Sequence, residues 1–334
     1  MNKKALRADI LLLLTALIWG SGFVAQRSGM EYVGPFTYNA VRFCLGSLSL
    51  FPIMFYRAKK NLTEHADGSW KTLFLSSLAA GTCLFLGVTL QQIGLMFTTA
   101  GNAAFITGFY AVLTPIFGGF WGRKTGAWTW VGALFTLAGL YFMSAADNIH
   151  SINVGDIFAF ISAFFWTAHV LLIDRLVLRN DPIRLSAGQF AVCGLFCFPF
   201  VFLIEPHISV FVANIAPTLL EKGTFAWLPI TDIVAGLVSA STIDIINLLI
   251  PILYGGLAAV GIAYTLQVIA QRDAPPAHAT IILCFEGCFG ALSGILILAE
   301  PIGRWTLLGF ALMLIGMLLS QWEVIIKSRR KEVV

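Results

Sequence analysis

Ten apolar segments follow one another along this chain, and they constrain its fold more than any other feature of the sequence. About 20 apolar residues are enough for an α-helix to cross a bilayer. The segments also lack the alternation of apolar and polar residues that marks β-barrel strands. We therefore predict an all-α membrane protein with ten transmembrane helices, at roughly 9–26, 36–56, 72–95, 99–121, 127–145, 156–178, 183–204, 248–270, 276–299 and 304–326.

The composition argues against most other classes of protein. Of the 334 residues, 58% are hydrophobic and 11% are charged, whereas about 25% of the residues in soluble proteins are charged. A net charge of +4 is too small to indicate a nucleic-acid surface. The sequence contains no phosphate-binding loop, HExxH or GxSxG motif, and no His or Asp completes a metal site around the six cysteines. We expect no nucleic acid, cofactor or metal.

The basic residues between the segments predict the orientation in the membrane. Loops on the cytoplasmic side carry an excess of Lys and Arg. If the N-terminus lies inside, seventeen of the 21 Lys and Arg residues lie inside, three lie outside, and Arg42 lies within the second segment. We therefore predict a multi-pass protein of the cell inner (plasma) membrane with both termini in the cytoplasm.

The two halves of the sequence match each other. Successive shifts of 147, 176 and 177 residues align Asp9 with Asp156, Trp19 with Trp166, Phe43 with Phe190, Gln91 with Gln267, Gly132 with Gly309 and Gly139 with Gly316. Because each half has five helices, an odd number, the halves must lie in the membrane with opposite orientation, as in many secondary transporters. We predict two inverted five-helix repeats, residues 1–146 and 147–334, with an external loop insertion at about 206–247.

Three stretches of the sequence resemble the EamA branch of the drug/metabolite transporter superfamily. They are ALIWGSGFVAQR at 16–27, TTAGNAAFITGFYAVLTPI at 98–116 and LAEPIGRWTLLGFALMLIGMLL at 298–319. The resemblance implies a ten-helix inner-membrane carrier, often an exporter of amino acids or other small metabolites. Its cavity would be lined by the first, third and fourth helix of each half. The chain departs from the family at Gly287, where proline is common, and at Arg123, where an acid is common.

Glu286 is the residue that most strongly indicates a functional site. It lies about ten residues into the ninth segment, roughly 15 Å from either end at 1.5 Å per residue. An ionised acid at that depth is costly unless it faces a cavity or a partner. Two interpretations stay open at this point. Glu286 carries a coupling proton or balances a substrate ammonium, or it is a neutral carboxyl that bonds a neighbouring helix.

Further candidates for the site lie in segments that the repeat or the resemblance assigns to the cavity. They are Asn102, Gln91, Gln267, Tyr110, Tyr264, Trp19, Trp166 and His169. Carboxamides and aromatic rings suit a small zwitterion or heterocycle. Hydrogen bonds between helices explain buried amides equally well, and tryptophan also anchors helices at the membrane interface.

Two features of the first two segments have alternative interpretations. Arg42 snorkels outward or pairs with a helix end, or it binds a substrate carboxylate. The small residues Gly20, Ser21 and Gly22 follow Trp19 directly. Such a run is expected to interrupt the first helix and free its backbone carbonyls.

The pattern predicts a secondary transporter of amino acids or similar small metabolites, an exporter that works by alternating access. Its partners would be a small-molecule substrate, the lipid bilayer and a coupling proton. Two alternatives are a membrane-embedded enzyme acting on a lipid or isoprenoid phosphate, which needs pairs of acidic metal ligands, and a non-transporting scaffold or sensor. Substrate, direction and oligomeric state do not follow from the sequence.

The predicted orientation has a direct test. Single cysteines introduced at Ser69 and Ser151, in a chain whose native cysteines are replaced, should be labelled from opposite sides of the membrane by an impermeant thiol reagent. Ser69 should react from the cytoplasmic side and Ser151 from outside, because ten spans with a cytoplasmic N-terminus place their loops there. Labelling of both positions from the same side would contradict this topology.

Overall fold

The computed structural model describes residues 3–30, 32–60, 69–98, 103, 106–144, 154–205, 242–298 and 304–332. Within these ranges, all regular secondary structure is helical. The first seven helices are α1 (Lys3–Met30), α2 (Pro35–Lys59), α3 (Trp70–Gly94), α4 (Tyr110–Phe120), α5 (Ala127–Ser144), α6 (Val154–Leu176) and α7 (Pro182–Leu203). The predicted site residue Asn102 and most of the predicted insertion, residues 206–241, lie outside the described residues.

The last three helices are less regular than the first seven. They are α8 (α-helical over Thr242–Leu253, π-helical over Tyr254–Tyr264 and α-helical over Thr265–Gln271), α9 (Pro276–Leu283 and Phe285–Leu298) and α10 (Arg304–Glu332). The eighth helix begins six residues before the predicted segment, inside the range assigned to the insertion. The ninth helix is interrupted at Cys284, where the amide of Gly287 donates to the Cys284 carbonyl at 3.1 Å.

Six stretches of the described helices are long and apolar enough to cross a membrane. They are Lys3–Met30, Pro35–Lys59, Trp70–Gly94, Val154–Leu176, Pro182–Leu203 and Leu248–Gln271. Tyr110–Phe120, Ala127–Phe142 and Leu307–Trp322 are shorter apolar helices, and α9 divides its span between two pieces. These helices occupy the ten predicted segments, so the predicted all-α membrane fold is confirmed.

The packing of α5 against α10 shows how the two halves are related. A Cβ added to Gly132 would lie 2.5 Å from the carbonyl oxygen of Gly316, and one added to Gly139 would lie 2.6 Å from that of Gly309. Residue numbers therefore rise along α5 as they fall along the facing α10, and the helices are antiparallel. Because the repeat makes α5 and α10 equivalent, the halves are inverted, as predicted from the odd number of helices.

Equivalent residues of the two halves meet at the centre of the molecule. The rings of Phe43 and Phe190 are 6.3 Å apart, and those of Trp19 and Trp166 are 6.4 Å apart. A residue contacts its own equivalent only close to the axis that relates the repeats. The pseudo-twofold axis therefore passes between Phe43 and Phe190 and between Trp19 and Trp166.

The equivalent residues Asp9 and Asp156 each bond the opposite half. His278 at the start of α9 lies 3.0 Å from the Asp9 carboxylate and 2.7 Å from the Ser320 hydroxyl of α10. At the other end of the molecule, the Thr98 hydroxyl donates to the Asp156 carboxylate at 2.6 Å. These bonds tie the repeats together near both ends of the bundle.

The expected break in α1 is wrong, because α1 is one continuous helix from Lys3 to Met30. The irregular backbone lies instead in α8, where the π-helix has wider turns than an α-helix. Two side chains of α1 bond this π-helix. The Trp19 indole donates to the Ala259 carbonyl at 3.0 Å, and the Thr15 hydroxyl donates to the Ala263 carbonyl at 3.1 Å.

Carboxylates stabilise both ends of the antiparallel pair α2 and α7. Asp181 accepts from the first amides of α7 and pairs with Arg57 of α2 at 3.1 Å. At the opposite end, α2 has Gly34 at its N-cap, which offers no side chain to cap the helix. Glu205 replaces that cap, because its carboxylate accepts from the Thr37 amide at 2.9 Å and from the Thr37 hydroxyl at 3.2 Å.

Glu205 should make the stability of the protein depend on pH. Burial raises the pKa of its carboxyl from 4.5 to about 7, against the opposing effect of the Thr37 hydrogen bonds. The folded state therefore keeps this proton at a pH where the unfolded chain has lost it. The resulting stabilisation, at most about 3 kcal/mol, is present below pH 4.5 and is lost as the pH rises towards 7.

Thermal unfolding of the purified protein across this pH range tests the effect. Glu205→Gln cannot titrate, so the fall in Tm between pH 4.5 and 7 should be smaller in the variant than in the wild type. Identical pH profiles for the two proteins would show that Glu205 does not hold its proton in the folded state.

Candidate functional site

A small cavity of about 40 Å³ lies at the centre of the bundle, next to the pseudo-twofold axis. Seven of the nine residues predicted for the site line it. They are Trp19, Gln91, Tyr110, Trp166, Tyr264, Gln267 and Glu286. The walls come from α1, α3 and α4 and from their equivalents α6, α8 and α9, as the resemblance implied, and in addition from α2 through Arg42.

Three aromatic rings form one wall of the cavity. Tyr264 contacts both tryptophans, with its ring centre 4.4 Å from that of Trp19 and 6.1 Å from that of Trp166, so the three rings form a triangle. The rings of Tyr264 and Trp166 are nearly parallel, at 15°. Stacked and tilted aromatic rings at these distances attract one another, so the wall is a rigid apolar surface.

The backbone of α9 helps to place Glu286 in the cavity. The interruption at Cys284 starts a new helix at Phe285, and Glu286 lies in its first turn. The amide end of a helix carries a partial positive charge, which favours a carboxylate there. Among the described residues, the Glu286 side chain has neither an ion pair nor a hydrogen bond.

Arg42 also lines the cavity, so the interpretation that it snorkels outward is wrong. Its side chain is 4% exposed, and its Nε donates to the Asn39 side-chain oxygen at 2.9 Å. The guanidinium carbon lies 5.2 Å from the ring centre of Tyr38 and 5.0 Å from that of Phe43, where cation–π attraction holds it in place. No acid of the described ranges forms an ion pair with Arg42.

The polar side chains around the cavity differ in how well they are bonded. Gln91 donates to the Thr107 hydroxyl at 3.3 Å. Gln267 donates to Gln271 at 3.0 Å through its Nε2. Its own Oε1 and the indole Nε1 of Trp166 are buried and have no hydrogen-bond partner in the described part of the chain.

His169, which was also predicted for the site, lies behind the aromatic wall and does not line the cavity. Its side chain is fully buried, and its Nε2 lies 2.8 Å from the Oε1 of Gln189. The imidazole stands edge-on to the rings of Trp166 and Tyr264, at 6.2 Å and 6.4 Å between centres. His169 therefore supports the two rings that face the cavity.

A vestibule of about 610 Å³ lies on the side that the basic residues assign to the cytoplasm. Thr114, Asp174 and Gln271 line the vestibule, and each lies one helical turn beyond a residue that lines the central cavity. Between the two spaces, Gln271 bridges α8 and α6 by donating to the carbonyl of Val170 at 3.0 Å. This bridge separates the cavity from the vestibule.

On the opposite side of the cavity, α1 and α9 are in close contact. A Cβ added to Gly20 would lie 2.5 Å from the Glu286 carbonyl oxygen and 2.7 Å from the Gly290 amide nitrogen. The equivalent helices, α6 and α4, instead border the vestibule. Among the described residues, the vestibule therefore lies on the predicted cytoplasmic side of the cavity, and the close contact of α1 with α9 lies on the other side.

The described residues include no group of three His, Cys, Asp or Glu side chains that could hold a metal ion. Acids are scarce around the central cavity, where Glu286 is the single acidic residue among the described lining residues. The chemistry available in the cavity is thus binding by one acid, one guanidinium, amides and aromatic rings.

Comparison with known proteins identifies the family. The sequence profile of the EamA-like transporter family matches residues 6–145 and 153–322. An uncharacterized transporter of Archaeoglobus fulgidus is 29% identical over 96% of this chain and 88% of its own length. The uncharacterized transporter YvbV of Bacillus subtilis is 26% identical over 74% of this chain and 81% of its own length.

Two further similarities concern location and fold. The uncharacterized inner membrane transporter YedA of Escherichia coli is 25% identical over 52% of this chain and 54% of its own length. A crystal structure of a protein that is 16% identical superposes with a TM-score of 0.72 and covers 97% of this chain and 98% of that one. At such low identity, the second similarity concerns the fold alone.

The contact between α1 and α9 can be tested with a single methyl group. Gly20→Ala places a Cβ where no space exists, so α1 and α9 must separate on the outer side. A cysteine introduced at Gln91, in a chain without native cysteines, should then react several-fold faster with an impermeant thiol reagent added from outside.

Gly119→Ala is the matched control for this experiment, because nothing lies within 4 Å of a Cβ at that position. It should label like the parent chain. If Gly20→Ala also labels like the parent, the contact between α1 and α9 does not close the outer side.

Proposed function

Because this chain belongs to the EamA-like transporter family, we propose that it is a secondary transporter that exports a zwitterionic metabolite of the amino-acid kind across the inner membrane. Its fold and relatives make it a multi-pass membrane transporter. The observation that supports the substrate class is that one basic and one acidic side chain, Arg42 and Glu286, line the same cavity, neither with a counter-ion among the described residues.

A buried charge without a counter-ion is costly in a membrane protein. Arg42 and Glu286 line the same small space, yet they do not form an ion pair with each other. A zwitterion placed between them satisfies both charges at once, because its carboxylate faces the guanidinium and its ammonium faces the carboxylate. The substrate would therefore supply the two partners that the empty cavity lacks.

The shape of the molecule supports alternating access. A vestibule leads from the predicted cytoplasmic side to within one helical turn of the cavity, while the contact of Gly20 with α9 closes the other side. Since the halves are inverted equivalents, exchanging their conformations opens the outer side and closes the inner one. Loading from the cytoplasm and release outside is the direction that we propose.

Glu286 also provides a site for a coupling proton. A carboxyl at this depth faces either a proton or a cationic group. Binding of the substrate ammonium and binding of a proton at Glu286 would then exclude each other. Such competition couples an outward movement of substrate to an inward movement of protons.

Proteoliposomes loaded with radiolabelled amino acids test this proposal. Glu286→Gln keeps the size and hydrogen-bonding capacity of the side chain but cannot change its charge. We expect it to fold normally and to lose at least about ten-fold in transport, the effect of about 1.4 kcal/mol. Arg42→Gln should lose as much for substrates with a free carboxylate, and less for amines that lack one.

Glu205→Gln serves as the control, since Glu205 is a buried carboxyl outside the cavity. It should transport like the wild type at neutral pH. Wild-type transport by Glu286→Gln over roughly pH 5 to 8 would mean that the carboxyl only packs helices. Failure of every amino acid to bind or move would refute the proposed substrate class.

A further inference from the structure

Two of the residues that line the central cavity each have one buried polar atom, a donor in one case and an acceptor in the other, that lacks a hydrogen-bond partner among the described residues. These are the indole Nε1 of Trp166 and the side-chain Oε1 of Gln267. The two residues are 8% and 1% exposed. Other buried polar atoms of the described chain also lack partners, but only these two belong to residues that line the cavity. Leaving such atoms unpaired costs free energy unless a ligand satisfies them.

Comparison of the two halves shows that only the second half has a tryptophan at this position whose indole N–H lacks a hydrogen-bond partner among the described residues. Trp19, the equivalent of Trp166, donates its N–H to the Ala259 carbonyl in the π-helix of α8. Trp166 packs instead on Gly87 of α3, which is a regular α-helix. The partner available to Trp19 is therefore missing for Trp166, and the buried Trp166 N–H has no hydrogen-bond partner among the described residues.

The two equivalent glutamines of the cavity also differ in their hydrogen bonding. Gln91, the equivalent of Gln267, donates to Thr107, and neither of its polar side-chain atoms is left buried without a partner. Gln267 donates its Nε2 to Gln271, which orients its Oε1 as an unpaired acceptor. Both unpaired atoms thus belong to the second half of the chain, one on Trp166, whose ring stacks on Tyr264, and the other on Gln267, three residues after Tyr264.

We propose that Trp166 and Gln267 select a substrate whose side chain is planar and presents an acceptor and a donor side by side. A carboxamide is the simplest such group, and a neutral imidazole is another. The acceptor of the group binds the Trp166 N–H, and its donor binds the Gln267 oxygen. This inference rests on the proposed function, which assigns the charged ends of the substrate to Arg42 and Glu286.

The aromatic wall supports a planar group. The rings of Trp166 and Tyr264, two lining residues of the cavity, are nearly parallel and offer aromatic faces on which a planar group can stack. An aliphatic side chain would leave both atoms unpaired, and a site built for hydrogen bonds rejects such analogues strongly. A carboxylate side chain offers no donor to Gln267 at neutral pH. The site should therefore prefer glutamine or histidine over methionine and glutamate.

The purified full-length protein can be tested by competition binding at neutral pH with glutamine, asparagine, histidine, glutamate and methionine. We expect at least one planar donor–acceptor amino acid to bind ten-fold or more tightly than both methionine and glutamate. Trp166→Phe keeps an aromatic ring but removes the N–H, and Gln267→Met keeps the length but removes the oxygen. Each substitution should abolish most of the preference for the planar donor–acceptor amino acid over methionine.

Gln92→Met is the matched control, because Gln92 is a buried glutamine with unpartnered atoms that does not line the cavity. It should keep the full preference. If zwitterions bind but methionine equals glutamine and histidine, the inference is overturned and the proposed function stands. If none of the five amino acids binds, the proposed substrate class is refuted, and the inference that rests on it is refuted with it. Should Trp166→Phe not fold, an unchanged preference in Gln267→Met alone overturns the inference.

Discussion

Hydrocarbon offers no hydrogen-bond partner, and the structure depends on this constraint throughout. Backbone groups must bond within helices, and polar side chains must point to each other or to an enclosed space. The glutamines of the described spans are mostly buried, and many polar side chains of the spans bond backbone carbonyls or one another. Several buried polar atoms stay without a partner among the described residues, and two of them belong to residues that line the central cavity.

Glycines allow the backbones of neighbouring helices to approach each other closely, and these contacts keep the helices packed together. Gly132 and Gly139 bring α5 against α10, and Gly20 brings α1 against α9. Lipid gives helices little hydrophobic reason to associate, so small residues and interhelical hydrogen bonds have to hold them together. The contact between α5 and α10 joins equivalent helices and is nearly symmetric. The contact between α1 and α9 lies on one side of the cavity only, and this asymmetry defines the conformation of the molecule.

The sequence predicted the helical fold, the inversion of the halves and seven of the cavity residues, because lipid restricts where Glu286, the glutamines and the repeated tryptophans can point. It did not predict which wall each side chain faces. Arg42 was left with several interpretations and was not assigned to the cavity, and His169 proved to lie one layer behind the cavity. Rotation of a helix about its axis depends on packing that periodicity cannot specify when all faces are apolar.

The irregular backbone was harder still to predict. Gly20–Gly22 in α1 looked like a break but Gly20 serves as a contact surface, whereas the π-helix lies in α8, in the stretch YGGLAAVGIAY, whose three glycines were not singled out. The π-helix binds one tryptophan of an equivalent pair and leaves the other unbound. After an ancestral duplication, the two copies of that residue would thus face different selection. Trp19 is constrained by the architecture of its own chain, while Trp166 can diverge with whatever molecule each descendant comes to carry.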